Sequence, residues 1–172
     1  MANWKKPQED GYQKFKQILK SGTWGRMYVF HGDEPFLIQS CRTTLRKKLV
    51  AGPTEEFNYH GFNAGNWDID EFSQAVDAIP MMSEHSLVEV TDIDLLPAES
   101  QRNQMAEILS DIPEYCTLLF RYDSVSWKPD KRMKKLYGAI DAAAVVLKWI
   151  VSGIRADSMD PASAHEGGKI HV

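Results

Sequence analysis

A short polar junction between an apolar strand and an amphipathic helix limits the folds open to this chain more than any other feature. The apolar residues 27–30 predict a strand, and the periodic apolar residues from Leu37 to Leu49 predict a helix. The junction between them reads His31-Gly32-Asp33-Glu34-Pro35. A phosphate-binding loop stands at this place in nucleotide-binding folds, and it needs a glycine-rich bend, a lysine and a Ser or Thr hydroxyl for Mg²⁺. Because this junction has one glycine, no lysine and two carboxylates, the sequence predicts a nucleotide-type fold that binds no nucleotide.

The two carboxylates of the junction oppose anion binding. We expect Asp33 to cap the following helix and Glu34 to interact favourably with the positive end of the helix dipole. Helix N-termini often bind anions, but this one already holds negative charge. The sequence therefore predicts no cofactor and favours a protein that binds another protein.

Composition and charge narrow the class of protein. The 172 residues, of which 43% are hydrophobic and 26% charged, are enough for one well-packed domain. The formal net charge of −4 gives no overall field that would attract nucleic acid. The sequence has no secretory signal and no uncharged run of about 18 residues. We therefore expect a cytoplasmic protein without membrane contact, in which Cys41 and Cys116 are reduced core thiols.

Helix-like and strand-like segments alternate along the chain. Apolar spacing and Gly or Pro punctuation predict helices over 12–21, 37–49, 68–79, 97–112 and 130–140, and strands over 27–30, 56–62, 86–91, 117–120 and 144–150. This alternation is typical of α/β proteins with right-handed crossovers. The sequence predicts an α/β fold with a parallel sheet of about five strands and helices on both faces.

Signatures of catalytic and metal sites are weak. The sequence contains no HxxxH spacing and no GxSxG motif, and its histidines are His31, His60, His85, His165 and His171. Asp92 and Asp94 follow the strand 86–91, where carboxylates would hold Mg²⁺ mainly through bound phosphates. Without a phosphate loop we interpret them as a strand end and turn. The sequence predicts no catalytic residue and no metal site.

A basic cluster lies beside Trp127 and consists of Lys128, Lys131, Arg132, Lys134 and Lys135. In a nucleic-acid interface the lysines would contact phosphates and the indole would stack on a base. A solvated helix face beside a half-buried aromatic residue gives the same pattern and agrees better with an acidic chain. We therefore expect DNA to bind only weakly or indirectly.

The segment Ile79-Pro80-Met81-Met82 closes the helix that precedes the third strand. Ile79 continues the apolar stripe of that helix and is expected in the core, while Pro80 ends the helix. The two methionines then lie at the tip of a loop. Methionine is flexible and polarizable and fills irregular pockets well. The residues alone favour burial under the domain's own loop and display to a partner equally.

Three segments of this chain resemble the delta subunit of bacterial DNA polymerase III. Tyr28–Ile38 is similar to the opening of that family, in which a strand runs into a Gly-acidic-acidic-Pro/Ala-aromatic-Leu junction. Phe72–Met82 followed by Leu87–Val90 resembles its helix, turn, apolar pair and strand. Thr117–Phe120 followed by Asp130-Lys131-Arg132 resembles a later strand and the Asp-Lys-Arg start of a helix. The order and spacing of the three matches also agree with the family.

The resemblance covers roughly residues 8–150 and implies an AAA+-like domain without ATPase activity. Such a domain is part of the clamp loader, binds the sliding clamp (the beta subunit) and helps to open it during DNA replication. The resemblance assigns the clamp contact to Ile79, Pro80, Met81 and Met82, and Met81-Met82 stands where the family usually has a Leu-Phe-type pair. The alternative is a divergent nucleotide-dependent enzyme on the same fold, since fold alone does not fix function.

Family members continue into a lid domain and a collar domain, and the collar joins the other clamp-loader subunits. The sequence leads us to expect a clamp-binding domain over residues 1–150. Residues 151–172 contain three Gly, one Pro and few large apolar side chains, and are expected to be a linker or the start of an incomplete second domain.

Overall fold

Strand pairing in this protein is parallel throughout the residues described by the computed structural model, 10–94 and 99–150. The elements in chain order are α1 (Gly11–Ser21), β1 (Met27–Gly32), α2 (Pro35–Val50), α3 (Glu55–Asn58), β2 (Tyr59–Phe62), α4 (Ile69–Asp77), β3 (Ser86–Thr91), α5 (Glu99–Ser110), β4 (Cys116–Arg121), α6 (Lys134–Ala143) and β5 (Ala144–Trp149). The strands lie in the order β2-β3-β4-β1-β5. The predicted α/β fold with a parallel sheet of about five strands is confirmed.

The central strands are apolar on both faces because helices cover both. In β1, Val29 pairs with Phe120 of β4 and with Val146 of β5. Successive side chains of a strand point to opposite faces, so Val29 packs in the core beneath α4, α5 and α6, and Phe30 packs in the core beneath α1 and α2. Strands buried on both faces form continuous apolar runs, and the four residues Met27 to Phe30 are all buried.

Aromatic rings fill the core beneath α1 and α2. The Phe30 ring meets the rings of Phe15 and Trp149 nearly edge to face, with centroids 5.8 and 4.9 Å apart. These arrangements place the positive ring edge against the negative ring face. The contacts join α1, β1 and β5.

The predicted strand 56–62 is wrong in its first half. Residues Glu55–Asn58 form one helical turn, α3, and only Tyr59–Phe62 is strand. The turn closes locally, because the Glu55 N–H donates to the Gly52 carbonyl (3.2 Å) and the Phe57 N–H donates to the Thr54 carbonyl (3.0 Å). The apparent alternation of Phe57 and Tyr59 therefore does not place Phe57 on a strand face, and that ring is half exposed.

Two predicted helix boundaries also need correction. Helix α4 ends at Asp77, and Ala78 already has extended backbone angles. The residue before a proline avoids the helical region, so Ile79 leaves the apolar stripe and is 82% exposed rather than part of the core. Helix α6 begins at Lys134 rather than at Asp130, because the Asp130 carboxylate accepts the Arg132 N–H (2.9 Å) and holds a turn there. The predicted helix start at Pro97 lies outside the described residues.

The close approach of Gly32 to β5 yields a test of this architecture. Gly32 has φ +132°, and a Cβ there would overlap the Trp149 carbonyl oxygen. We expect Gly32→Ala to lower the free energy of unfolding by at least about 2 kcal/mol in urea denaturation. As the matched control, Gly138→Ala adds a methyl group in open space within α6, and is expected to raise stability by about 0.5–1 kcal/mol. Equal effects of the two substitutions would contradict the close contact between β1 and β5.

Candidate functional site

The junction after β1 is occupied by the end of β5. The Asp33 N–H donates to the Trp149 carbonyl at 2.8 Å. In a phosphate loop the backbone N–H groups at this point turn towards the phosphates, whereas here the Asp33 N–H is used by the protein itself. The predicted capping role of Asp33 is wrong: α2 begins at Pro35, so Glu34 holds the cap position, and it makes no side-chain capping hydrogen bond.

A polar cavity of about 340 Å³ lies beside this junction at the carboxyl edge of the sheet. Its lining includes His31, Asp33, Asp123, Trp127 and Lys148. Burial lowers the pKa of His31, and the neighbouring Lys148 ammonium lowers it further, against the opposing effect of Asp33. His31 is therefore held towards its neutral form, and the cavity mixes both signs of charge instead of concentrating positive charge for a phosphate.

Asp92 fixes the loop that borders this cavity. Its Oδ1 accepts the backbone N–H groups of Asp123 (2.8 Å), Ser124 (2.9 Å) and Val125 (3.2 Å). Burial opposes ionisation of Asp92, but the hydrogen bonds from Ser124, Val125 and Asp123 outweigh it and lower the pKa of this carboxyl. The geometry agrees with the interpretation of Asp92 as a strand end and turn.

The two cysteines are poor candidates for chemistry. Cys41 lies in the core beneath α1 and α2, and Cys116 lies in the core on the other face of the sheet. Burial raises the pKa of each thiol to about 11, so little thiolate is present at neutral pH.

Within residues 10–94 and 99–150 no group of three or more His, Cys, Asp or Glu side chains is placed to hold a metal ion. His165 and His171 lie outside that range.

The tip loop, residues 78–85, joins α4 to the amino end of β3. Its apolar side chains are displayed: Ile79 is 82%, Met81 50% and Met82 91% exposed, while Pro80 is half-buried. Exposed apolar side chains that lie together mark interaction surfaces more often than scattered ones do. The structure thus brings the four residues of the predicted contact together on one loop.

The tip loop is anchored at its start and at Met81. The buried Asn58 side chain accepts the Met81 N–H (2.7 Å) and donates to the Met81 carbonyl (2.9 Å). The Tyr115 hydroxyl donates to the Asp77 carbonyl (2.7 Å), at the end of α4. Met82 comes next with φ +49°, a left-handed conformation that is uncommon for a residue with a side chain. Sequence reasoning missed Asn58, although an asparagine inside a supposed strand is itself an unusual choice.

Comparison with known families decides what kind of domain carries this loop. Residues 28–148 match the family model for the DNA polymerase III delta subunit. The chain belongs to this family. The resemblance carried by the three sequence segments is thereby confirmed.

Individual relatives agree with the family. The chain is 26% identical over 97 residues to DNA polymerase III subunit delta of Bacillus subtilis, which is 56% of this chain and 28% of that protein. The solved Bacillus subtilis DNA clamp loader delta protein has the same fold, with a TM-score of 0.66 and 21% identity over 80% of this chain and 42% of that one. A gamma subunit-related protein of Thermotoga maritima has a TM-score of 0.52 and 14% identity over 84% of this chain and 46% of that one. The chain thus spans less than half the length of these relatives.

The basic cluster of this delta-family chain is solvated. All five of its cations are exposed, with Arg132 paired to Asp130 (2.7 Å) and Lys135 near Glu107 (3.7 Å). The Trp127 ring is half-buried and packs on the Tyr122 ring at a centroid distance of 5.2 Å. Lys134 and Lys135 lie in the first turn of α6, where the helix dipole disfavours cations.

None of the helices described is long and apolar enough to cross a membrane.

A buried ionic network holds the face of the sheet beneath α2. Glu89, in the middle of β3, is 2% exposed. The Arg42 Nε donates to both carboxylate oxygens of Glu89 at 2.9 Å. The Tyr59 hydroxyl donates to Glu89 Oε2 at 2.9 Å, and Arg121 Nη1 lies 3.5 Å from Glu89 Oε1. Burial lowers the pKa of Arg42, but Glu89 more than compensates and the net shift is upward. Sequence reasoning missed the network, although a glutamate between Val88 and Val90 signals a buried partner.

This network yields a test with a surface control. Arg42→Met leaves Glu89 buried with fewer partners, so we expect the free energy of unfolding to fall by about 2–4 kcal/mol in urea denaturation. Lys135→Met removes a cation from an exposed pair and is expected to change stability by less than about 0.5 kcal/mol. A loss at Arg42 as small as that at Lys135 would show that the network contributes little.

Proposed function

We propose that this chain is a non-catalytic clamp-loader delta domain that binds a bacterial sliding clamp through its tip loop and helps to open the ring during DNA replication. The observation that carries the proposal is the display of Ile79 and Met82, 82% and 91% exposed, on a loop whose backbone is anchored. Family membership supplies the expected partner. The clamp is a replication protein of the cytoplasm, and we assign the domain to that compartment.

The exposed side chains of the tip loop are suited to insertion into an apolar pocket. Isoleucine and methionine carry no charge to desolvate, and the methionine side chain adapts to the shape of a pocket. Burying each on a partner is worth roughly 1.5–3 kcal/mol. We infer that the clamp presents an apolar pocket to Ile79 and Met82, with Pro80 and Met81 completing the contact.

Binding energy at this contact can open the ring only through selectivity between ring conformations. A ligand shifts an equilibrium by no more than its differential affinity for the two states. A delta domain that fits the clamp interface better when the ring is open would therefore favour opening without hydrolysing nucleotide. Such a mechanism needs a contact of fixed shape, which an anchored loop on a rigid sheet can supply.

The remaining partners are assigned by domain. We propose that residues 1–150 form the clamp-binding domain and that residues 151–172 connect it to the next domain of longer family members. Contacts with other clamp-loader subunits are assigned to the parts of those longer proteins that this sequence does not cover. DNA contact through the basic cluster is expected to be weak.

Alanine substitution at the tip tests the clamp contact. Ile79→Ala/Met82→Ala should weaken binding of the 172-residue chain to a bacterial sliding clamp by two to four decades, since about 3–6 kcal/mol of burial is lost. The measurement is surface plasmon resonance with immobilised clamp, and thermal melting should show an unchanged melting temperature.

The matched control for the tip variant is Phe36→Ala. Phe36 is 84% exposed, like the tip residues, but it lies at the start of α2, at the opposite edge of the sheet from the tip loop. We expect wild-type clamp affinity for this control. Loss of affinity at Phe36 with none at the tip would move the clamp contact to the carboxyl edge.

Nucleotide binding separates this proposal from an enzyme on the same fold. Because the Asp33 N–H is used by Trp149 and the cavity beside it has mixed charge, calorimetry with Mg-ATP should give no heat beyond dilution. A micromolar dissociation constant, about −8 kcal/mol of binding free energy, would contradict the proposal and favour the enzyme.

A further inference from the structure

Asn58 connects the tip loop to the body of the domain. It is the last residue of α3 and is only 1% exposed. Its side-chain amide satisfies the N–H and the carbonyl of Met81 together, at 2.7 and 2.9 Å. One side chain thus gives Met81 the pair of hydrogen bonds that a neighbouring strand would give. The bonds span 23 residues of sequence.

The segment that carries Asn58 is itself fixed. Before it, Glu55 pairs with Arg46 of α2 at 2.6 Å. After it, the Tyr59 hydroxyl donates to the buried Glu89 at 2.9 Å, and the Arg46 guanidinium lies 3.6 Å from the centroid of the Tyr59 ring. The Asn58 amide also donates to the Thr54 hydroxyl at 3.2 Å. The position of Asn58 is therefore set by α2 and β3, and Asn58 passes that constraint on to the tip loop.

We propose that Asn58 is the positioning residue of the clamp contact, and that it holds the tip loop in the conformation that binds. The inference rests on the proposed function of the tip loop. Fixing Met81 limits the directions in which its neighbours Ile79 and Met82 can project. A loop that is ordered before binding loses less conformational entropy on binding, so its affinity is higher for the same contacts.

The proposal has a kinetic signature that distinguishes positioning from contact. If only a fraction of molecules holds the binding conformation, the apparent affinity falls by that fraction. Asn58→Ala should therefore reduce the association rate constant about tenfold or more and leave the dissociation rate constant nearly unchanged. Met82→Ala, which removes contact area, should instead act mainly on dissociation, as most interface mutations do.

Asn58→Asp offers a variant of equal size. An ionised carboxylate accepts from the Met81 N–H but cannot donate to the Met81 carbonyl, whereas the protonated acid can do both. Burial raises the pKa of the introduced carboxyl above its ordinary value of about 4. Clamp affinity of this variant should therefore recover towards that of the wild type as the pH is lowered. The wild type, measured at each pH, corrects for every other titrating group.

The matched control is Asn66→Asp. Asn66 lies beyond the other end of β2 and makes the same kind of paired contact, accepting the Asn63 N–H (2.7 Å) and donating to the Gly61 carbonyl (3.0 Å). It lies at the opposite edge of the sheet from the tip loop. The control should bind the clamp like the wild type at every pH.

The outcomes separate failure of this inference from failure of the proposed function. If Ile79→Ala/Met82→Ala weakens clamp binding and the Asn58 variants do not, Asn58 has no positioning role. If the tip variant also binds normally, the proposed clamp contact itself is wrong. Should an Asn58 variant fail to fold, hydrogen exchange of the wild-type chain still decides. The Met81 amide should exchange far more slowly than an unprotected amide, and exchange at the unprotected rate would overturn the proposal.

Discussion

The pairing of β1 between β4 and β5 is the constraint on which the rest of the structure depends. It buries Val29 in one core and Phe30 in the other, so helices must cover both faces. It also brings the end of β5 against Gly32 so closely that only glycine fits. The Asp33 N–H then donates to the Trp149 carbonyl, and the junction after β1 becomes part of the fold's own hydrogen bonding. In a fold of this type that junction is where a phosphate would bind. The pairing of β5 with β1 thus also uses the backbone N–H that a phosphate loop would offer to its ligand.

The two edges of the sheet are consequently used differently. At the carboxyl edge, Asp92 accepts hydrogen bonds from three backbone N–H groups of the loop after β4. At the amino edge, the loop before β3 displays Ile79 and Met82. A chain of polar contacts inside the domain allows that display. The buried Glu89 accepts a hydrogen bond from the Tyr59 hydroxyl. Asn58, the residue before Tyr59, accepts a hydrogen bond from the Met81 N–H. Burying such groups is costly unless each is paired, and here the pairing also connects the surface loop to the buried network.

The sequence predicted the features that depend on a regular apolar pattern, and it failed where a tight turn, a proline or a distant partner decides. The apolar runs indicated the parallel sheet, and the order of three motifs indicated the family. The apparent alternation at Phe57 hid the helical turn of α3, because the carbonyls that close it belong to a turn at Gly52 and Thr54. The bond between Arg42 and Glu89 spans 47 residues, beyond the reach of any periodicity. Ile79 looked like core because its spacing fits the stripe of α4, but Pro80 forces the chain out of the helix before that position.

A stiff connection between loop and domain matters more for ring opening than for simple attachment. A flexible apolar loop could bind a clamp tightly and still adapt to whichever shape the ring adopts, and it would then have no preference between open and closed rings. A preference for the open ring requires that the loop not adapt to the shape of the closed ring. The loop can keep its own shape only if contacts connect it to the core of the domain. In this domain the path runs from Met81 through Asn58 to Tyr59, Glu89 and α2. A ligand with equal affinity for both states shifts nothing. Under the proposed function, the stiffness of this path would therefore limit how much binding energy can be directed into opening the clamp.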